Sequence, residues 1–238
     1  MSAAAPAQPH RPRLHRRWVL MFVFGAAAFA LLAAGVACSD PLVHLDQTVA
    51  AGLHRHAERS PGAVRVAEAI TLLGTFYWFT ALAVVVVGGF WRAGRLRLGL
   101  AWLLVLIGGG LWVDGLKNTF DRQRPPCNQA FITELSYSFP SGHAAGSAVA
   151  YGTLAYCLAL HWRTRRQRVV LVVGFGALVL LIGFTRLYLC VHYLSDVLGG
   201  YALALSWVGL CVYAIEWARS RFSRGPGRPS SPAAGPSP

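Results

Sequence analysis

The sequence predicts an all-α fold, a bundle of six transmembrane helices, and three observations carry that expectation. Of the 238 residues, 55% are hydrophobic and only 13% charged, with a mean hydropathy of +0.47. The apolar residues gather into six nearly uncharged runs, and the arginines gather between alternate runs. A disordered polyelectrolyte needs low hydrophobicity, and a nucleic-acid binder carrying a net charge of +13 would be far more polar, so no nucleic-acid partner is expected. An integral membrane protein fits all three observations.

A helix must bring about 20 apolar residues to cross the ~30 Å hydrocarbon layer. Residues 1–17 read as a cytoplasmic basic arm that leads into the first span, 18–39. That run ends in Gly35-Val36-Ala37-Cys38, as a secretory or lipoprotein signal does, but it exceeds the usual signal core of roughly 7–15 residues. Gly35 also stands where a lipoprotein cleavage site has Leu. The segment 40–65, with His44, His54 and His56, is expected as short helices along the outer interface. Further spans follow at 69–91, 98–113, 144–162, 169–184 and 193–215, with Trp18, Trp91 and Trp162 as interfacial anchors. The membrane domain is thus 18–217, and 218–238, rich in Pro, Ser, Gly and Ala, reads as a disordered cytoplasmic tail.

Fifteen of the 22 bases lie in four segments. These are the arm (Arg11, Arg13, Arg16, Arg17), the second connection (Arg92, Arg95, Arg97), the fourth (Arg163, Arg165, Arg166, Arg168) and the tail (Arg219, Arg221, Arg224, Arg228). The positive-inside rule puts all four, and both termini, in the cytoplasm. Residues 40–68, 114–142 and 185–192 then face outward, in a multi-pass protein of the bacterial inner membrane.

The outward segments hold the residues able to do chemistry. Lys117–Pro125 reads KNTFDRQRP, Pro140–His143 reads PSGH, and Thr185–Asp196 reads TRLYLCVHYLSD. Each cluster sits at the outer end of a span, so a compact bundle gathers them at the outer membrane face. Lys117, Arg124 and Arg186 can neutralise phosphate oxygens, while Ser141 and Gly142 offer a hydroxyl and free N–H groups where a helix starts. His192 and Asp196, four apart, share a helix face, so the carboxylate can hold one imidazole nitrogen and leave the other to attack phosphorus. His143 can protonate the leaving group. Asp196 also stands within an apolar run, where a charge is costly and kept for function. Lys117 is the only lysine among the 22 bases, and a compact ammonium does not replace a flat guanidinium.

The order K-x6-R-P, P-S-G-H and [ST]-R-x5-H-x3-D resembles the three-part signature of the type 2 phosphatidic acid phosphatase (PAP2) superfamily, in its membrane lipid phosphatase branch. The motifs span 117–196, with Thr185 where many relatives have Ser. The resemblance implies that Lys117, Arg124, Arg186, Ser141 and Gly142 bind phosphate, and that His192 becomes a phosphohistidine. It makes Asp196 the partner of His192 and His143 the acid and then the base. It implies no metal and no cofactor. The expected substrate is a lipid phosphate or pyrophosphate drawn from the membrane lipids, with undecaprenyl pyrophosphate first. Phosphatidic acid, phosphatidylglycerophosphate and phosphotransfer to another acceptor are the alternatives. A transporter would place its ionisable groups near the bilayer midplane, and a vanadium haloperoxidase would share the anion cage.

The remaining histidines, His10, His15, His44, His54, His56 and His161, lack a partner pattern and read as surface or interface residues. Asp114 and Asp121 flank the first motif as helix-end charges. The five cysteines show no metal-ligand spacing. Cys127 and Cys190 both fall in the motif region on the oxidising side, which makes them a candidate disulfide.

Overall fold

The computed structural model describes residues 12–127, 131, 136–162 and 164–222. The expected N-terminal arm lies mostly outside the described residues, as does the expected tail beyond Phe222. The described residues form helices α1 (Pro12–Cys38), α2 (Asp40–Glu58), α3 (Pro61–Thr71), α4 (Phe76–Arg92), α5 (Leu96–Phe120), α6 (Gly142–Ala159), α7 (Arg165–Tyr188) and α8 (Leu194–Phe222). No strand occurs among them. Helix α1 begins at Pro12, within the expected arm, at a residue suited to a first helical turn, and α8 continues four residues past the expected start of the tail.

Among the described residues, four helices are long and apolar enough to cross a membrane: α1, α5, α7 and α8. A fifth crossing arises if α3, the 3-10 turn Leu72–Gly74 and α4 count as one span bent by 51°. The second expected run is therefore broken near its start, where Thr75 caps α4 by accepting from Trp78 N at 3.3 Å. The fourth expected run, α6, differs in kind. It is rich in Gly, Ala, Ser and Thr, falls short of that length-and-apolarity test, and is the helix most enclosed by its neighbours. The molecule is inside out relative to a water-soluble domain. Phe24, Leu31, Phe76, Val84, Leu104, Leu111, Val170 and Leu180 point outward, while Asp46, Ser138, Arg186, His192 and Asp196 are buried.

Small residues let the helices approach. A Cβ on Gly25 of α1 would stand 2.5 Å from Ser206 N and 2.8 Å from Ala202 O of α8, and one on Gly209 of α8 would stand 2.7 Å from Phe22 N. That register runs α1 antiparallel to α8. Indole N–H groups then tie the helices together, because a buried donor needs a partner. Trp102 of α5 donates to Ala150 O of α6 at 3.1 Å, and Trp207 of α8 donates to Val105 O of α5 at 2.7 Å. Trp78 donates to Tyr151 Oη at 2.7 Å, and Tyr151 passes the bond to Leu73 O at the α3–α4 bend. Trp18 is half-buried and packs edge-on against Tyr156 at 5.4 Å, so it serves helix packing as well as anchoring.

This packing sorts the connections onto two ends. The start of α1, the α4–α5 turn, the α6–α7 connection and the end of α8 share the arginine-rich end. The end of α5, the start of α6, the end of α7 and the start of α8 share the other. Thr164 and Gln167 cap α7 reciprocally at the first end, and Asp121 ends α5 at the second in a left-handed conformation with φ 45°.

The Gly25 contact yields a stability test. Replacing Gly25 by Val puts a side chain into the backbone of α8, and overpacking of this kind costs about 1–3 kcal/mol. Thermal unfolding of detergent-solubilised protein is expected to shift down by several degrees, with no such shift for Gly88→Val, where a Cβ meets nothing within 4 Å.

Candidate active site

The second end of the bundle gathers all eight residues singled out in the sequence. Lys117 stands in the last turn of α5 and Arg124 in the connection after it. Ser141 is the N-cap of α6, with Gly142 and His143 following it. Arg186 lies in the last turn of α7, and Asp196 in the first turn of α8.

Lys117 Nζ donates to Ser136 Oγ at 2.8 Å, and Arg124 Nη2 donates to the same oxygen at 3.2 Å, so Ser136 joins the two cations. Arg124 is further fixed by donating through Nε to Ser136 O at 2.7 Å and through Nη1 to Val191 O at 2.7 Å. A Cβ on Gly142 would stand 3.9 Å from Lys117 Nζ, which places the ammonium over the start of α6. Arg186 is 1% exposed and donates through Nη1 to Thr71 Oγ1 of α3 at 3.0 Å. His143 lies within electrostatic reach of Arg186, His192, Lys117 and Arg124, so the cage closes on its ring.

The pairing of His192 with Asp196 holds, but not on a shared helix face. His192 lies in the turn before α8, and its N–H donates back to Arg186 O at 3.3 Å. The contact arises because Asp196 folds back over the start of its own helix, where Oδ2 accepts from Tyr193 N at 2.8 Å. His192 Nδ1 then lies 3.5 Å from Asp196 Oδ2 and 3.4 Å from Ser138 Oγ, while Nε2 faces Arg124 Nη1 at 3.3 Å. Ser138 donates to Asp196 Oδ2, orienting that carboxylate further. Nδ1 therefore faces the acid, and Nε2 faces the cations. Burial pushes the His192 pKa down to about 4, with Arg186 and Arg124 adding to the fall and Asp196 opposing it. The ring is a neutral base at physiological pH.

Ser141 Oγ and His143 Nε2 are buried, and neither has a hydrogen-bond partner among the described residues. Buried polar atoms are normally paired, so two such atoms beside three cations mark a place for an anionic ligand. The start of α6 adds free backbone N–H groups and the positive end of its dipole. The arrangement can hold a tetrahedral anion, present an imidazole nitrogen to it, and exchange a proton through a second imidazole.

Several participants escaped the sequence reading. Ser136 and Ser138 lie in an irregular connection, Thr71 sits on α3, and Arg122 forms ion pairs with both Asp46 and Asp196, described below. Arg122 carried one available signal, being a second outward arginine two residues before Arg124. Asp46 carried a weaker one, an acid sharing a buried stripe of α2 with Ala50 and Ala57. Cys127 and Cys190 form a disulfide, with Cα atoms 6.5 Å apart, that joins the connection bearing Arg124 to the turn bearing His192. His54 of α2 lies beside it, half-buried.

The same stretch of chain has known counterparts. The family model of the PAP2 superfamily matches residues 98–220, from α5 to the end of α8. Phosphatidylglycerophosphatase B of Bacillus subtilis (strain 168) is 34% identical over 149 residues, covering 62% of this chain and 72% of that protein. The crystal structure of a transmembrane PAP2 type phosphatidylglycerolphosphate phosphatase from Bacillus subtilis superposes with a TM-score of 0.73 at 29% identity, covering 89% of this chain and 98% of that one. The match takes in the whole cage from Lys117 to Asp196, and the chain belongs to the PAP2 superfamily.

Proposed function

We propose that this membrane lipid phosphatase removes the terminal phosphate of phosphatidylglycerophosphate through a phosphohistidine at His192, without a metal ion. The observation that carries the chemistry is the division of the His192 ring, with Nδ1 toward Asp196 and Nε2 toward Arg124. The activity named for the Bacillus relatives supports the substrate. Undecaprenyl pyrophosphate, the first expectation from sequence, becomes a comparison substrate beside phosphatidic acid.

In this reading Lys117, Arg124 and Arg186 surround the phosphoryl oxygens, and Ser141 Oγ with the N–H groups at Gly142 completes the cage. His192 Nε2 forms a bond to phosphorus as the bond from phosphorus to the lipid oxygen breaks, and His143, which holds a proton only once the phosphate anion offsets the surrounding cations, gives that proton to the lipid oxygen. His143 then takes a proton from water, whose oxygen attacks the phosphohistidine and releases inorganic phosphate. Asp196 holds the proton on Nδ1, so Nε2 keeps its lone pair. Transfer to another acceptor alcohol in place of water uses the same intermediate.

The proposal includes six crossings, with α6 enclosed by the others and the α3–α4 pair as one bent span. It also puts the cage at the outer face. The arginine-rich connections lie at the end of the bundle opposite the cage, and the positive-inside rule assigns that end to the cytoplasm. A cage at the membrane surface lets the acyl chains stay in lipid while the head group reaches the cations.

Phosphate release by purified protein in detergent with EDTA, measured on phosphatidylglycerophosphate, phosphatidic acid and undecaprenyl pyrophosphate, is the direct test. Turnover is expected to survive chelation and to be fastest on the first substrate. His192→Ala is expected to lower kcat by at least about 10³-fold and to abolish the phosphoenzyme. Dependence on an added divalent metal would overturn the metal-free cage.

The pH profile offers a second check. Only neutral His192 can attack, and its folded pKa is depressed to about 4, so kcat/KM should hold through mildly acidic pH and fall below about 4. An acid limb attributable to His192 near ~6.5, the ordinary histidine value, would show that burial does not act on this ring.

A further inference from the structure

Arg122 touches none of the cage residues that hold phosphate, yet it is bound more fully than any exposed salt bridge requires. Its Nη1 donates to Asp196 Oδ1 at 2.5 Å and to Ser195 Oγ at 2.7 Å, and its Nη2 donates to Asp46 Oδ2 at 2.8 Å. Its guanidinium carbon lies 4.4 Å from the centroid of the Tyr193 ring. Asp46 reaches this point from α2, accepting from Ser195 N at 2.9 Å through Oδ1 and from Ser195 Oγ through Oδ2. Both carboxylates are 0% exposed.

We infer that Arg122, braced by Asp46, is a positioning residue for phosphoryl transfer: it fixes the carboxylate of Asp196, and through it the imidazole of His192. The inference rests on the roles proposed above for His192 and Asp196.

The geometry separates positioning from mere attachment of α2 to α8. Asp196 has two oxygens with different duties. Oδ1 belongs to Arg122, while Oδ2 accepts from Ser138 and Tyr193 N and lies toward His192 Nδ1. Rotation about the terminal torsion of an aspartate is broad and nearly two-fold, so a carboxylate held on one side alone can swing. Held on both sides, it presents one oxygen to the imidazole in one direction. A guanidinium can do this because its flat fork reaches two carboxylates at once, which a lysine ammonium cannot do in the same plane. Burial opposes the charge of Arg122, and Asp196 and Asp46 more than offset it, holding its pKa above the ordinary guanidinium value.

The clasp also sets charge. Asp46, Arg122 and Asp196 together carry one net negative charge beside His192, enough to hold a proton on Nδ1. The other charged and titratable groups around that ring are Arg124 in the α5–α6 connection, Arg186 on α7 and His143 on α6. Removing Arg122 leaves two unneutralised carboxylates, which favour the imidazolium and raise the pKa of His192.

Arg122→Gln in the full-length protein is expected to lower kcat on phosphatidylglycerophosphate by about 100-fold while KM stays within about threefold. The acid limb of kcat/KM is expected to move to higher pH. In an Asp196→Asn background the same substitution should cost almost nothing further, because its effect runs through Asp196. Arg122→Lys should restore little. Wild-type kcat in Arg122→Gln, or losses that multiply fully with Asp196→Asn, or an unmoved acid limb, would each overturn the inference. If Arg122→Gln does not yield monodisperse protein, Asp46→Asn carries the same test, since it frees the guanidinium from the far side without removing it. Nitrogen NMR of histidine-labelled protein, with His192 assigned by difference from His192→Ala, reads the ring without turnover. A wild-type protein that cleaves no lipid phosphate would sink the proposed function, whereas an unchanged His192 tautomer and pKa in Arg122→Gln would sink the clasp alone.

Discussion

Asp196 keeps its charge with no access to water, and the whole cage end of the bundle is built around that constraint. A buried carboxylate is tolerated only when it is paired and hydrogen-bonded. Here the chain supplies Arg122 on one oxygen, and Ser138 with Tyr193 N on the other. Arg122 and Ser138 both come from the irregular connection after α5, so the carboxylate ties α8 to that connection. Ser141 N donates to Asp196 O at 3.0 Å, which brings the start of α6 to the same residue. The position of His192 and the position of the start of α6 are therefore set by one side chain and its own backbone.

Close packing below the site makes this geometry possible. A Cβ on Gly200 of α8 would stand 2.7 Å from Ser141 O and 3.1 Å from Ala145 N, so α8 lies directly against the first turn of α6. Gly74, at the bend between α3 and α4, lets His143 approach, where a Cβ would come within 2.9 Å of its ring. The small residues that leave α6 weakly apolar are the same ones that let α5, α7 and α8 surround it. Its short, polar-flecked sequence suits a helix enclosed by protein, whereas α1 and α7 show large apolar side chains outward.

Much of this was legible in the sequence. The helices were, because an apolar run in lipid has few alternatives to a helix. The eight motif residues were legible because their spacing is local and their types are chemically specific. The bend before α4 was not, since hydropathy reports length but not direction. His192 was placed on a helix because its spacing from Asp196 fits one; the structure reaches the same contact by folding Asp196 back onto the Tyr193 N–H. Asp46 and Ser138 stayed hidden for a plainer reason. Asp46 lies 149 positions from Ser195 and Ser138 lies 58 from Asp196, and such partners carry no local pattern.

Charge decides what the finished cage prefers. Lys117, Arg124, Arg186 and Arg122 supply four positive charges, and Asp46 and Asp196 cancel two of them. Both carboxylates share Arg122, so Arg186, Arg124 and Lys117 all act on His143 at the start of α6, and the net charge of the group is two positive. Two positive charges match a phosphate monoester dianion. Arg122 sits behind Asp196, where its charge is taken up by the carboxylates of Asp46 and Asp196. In the proposed function the phosphate is recognised by charge and by hydrogen bonds at one end of the bundle.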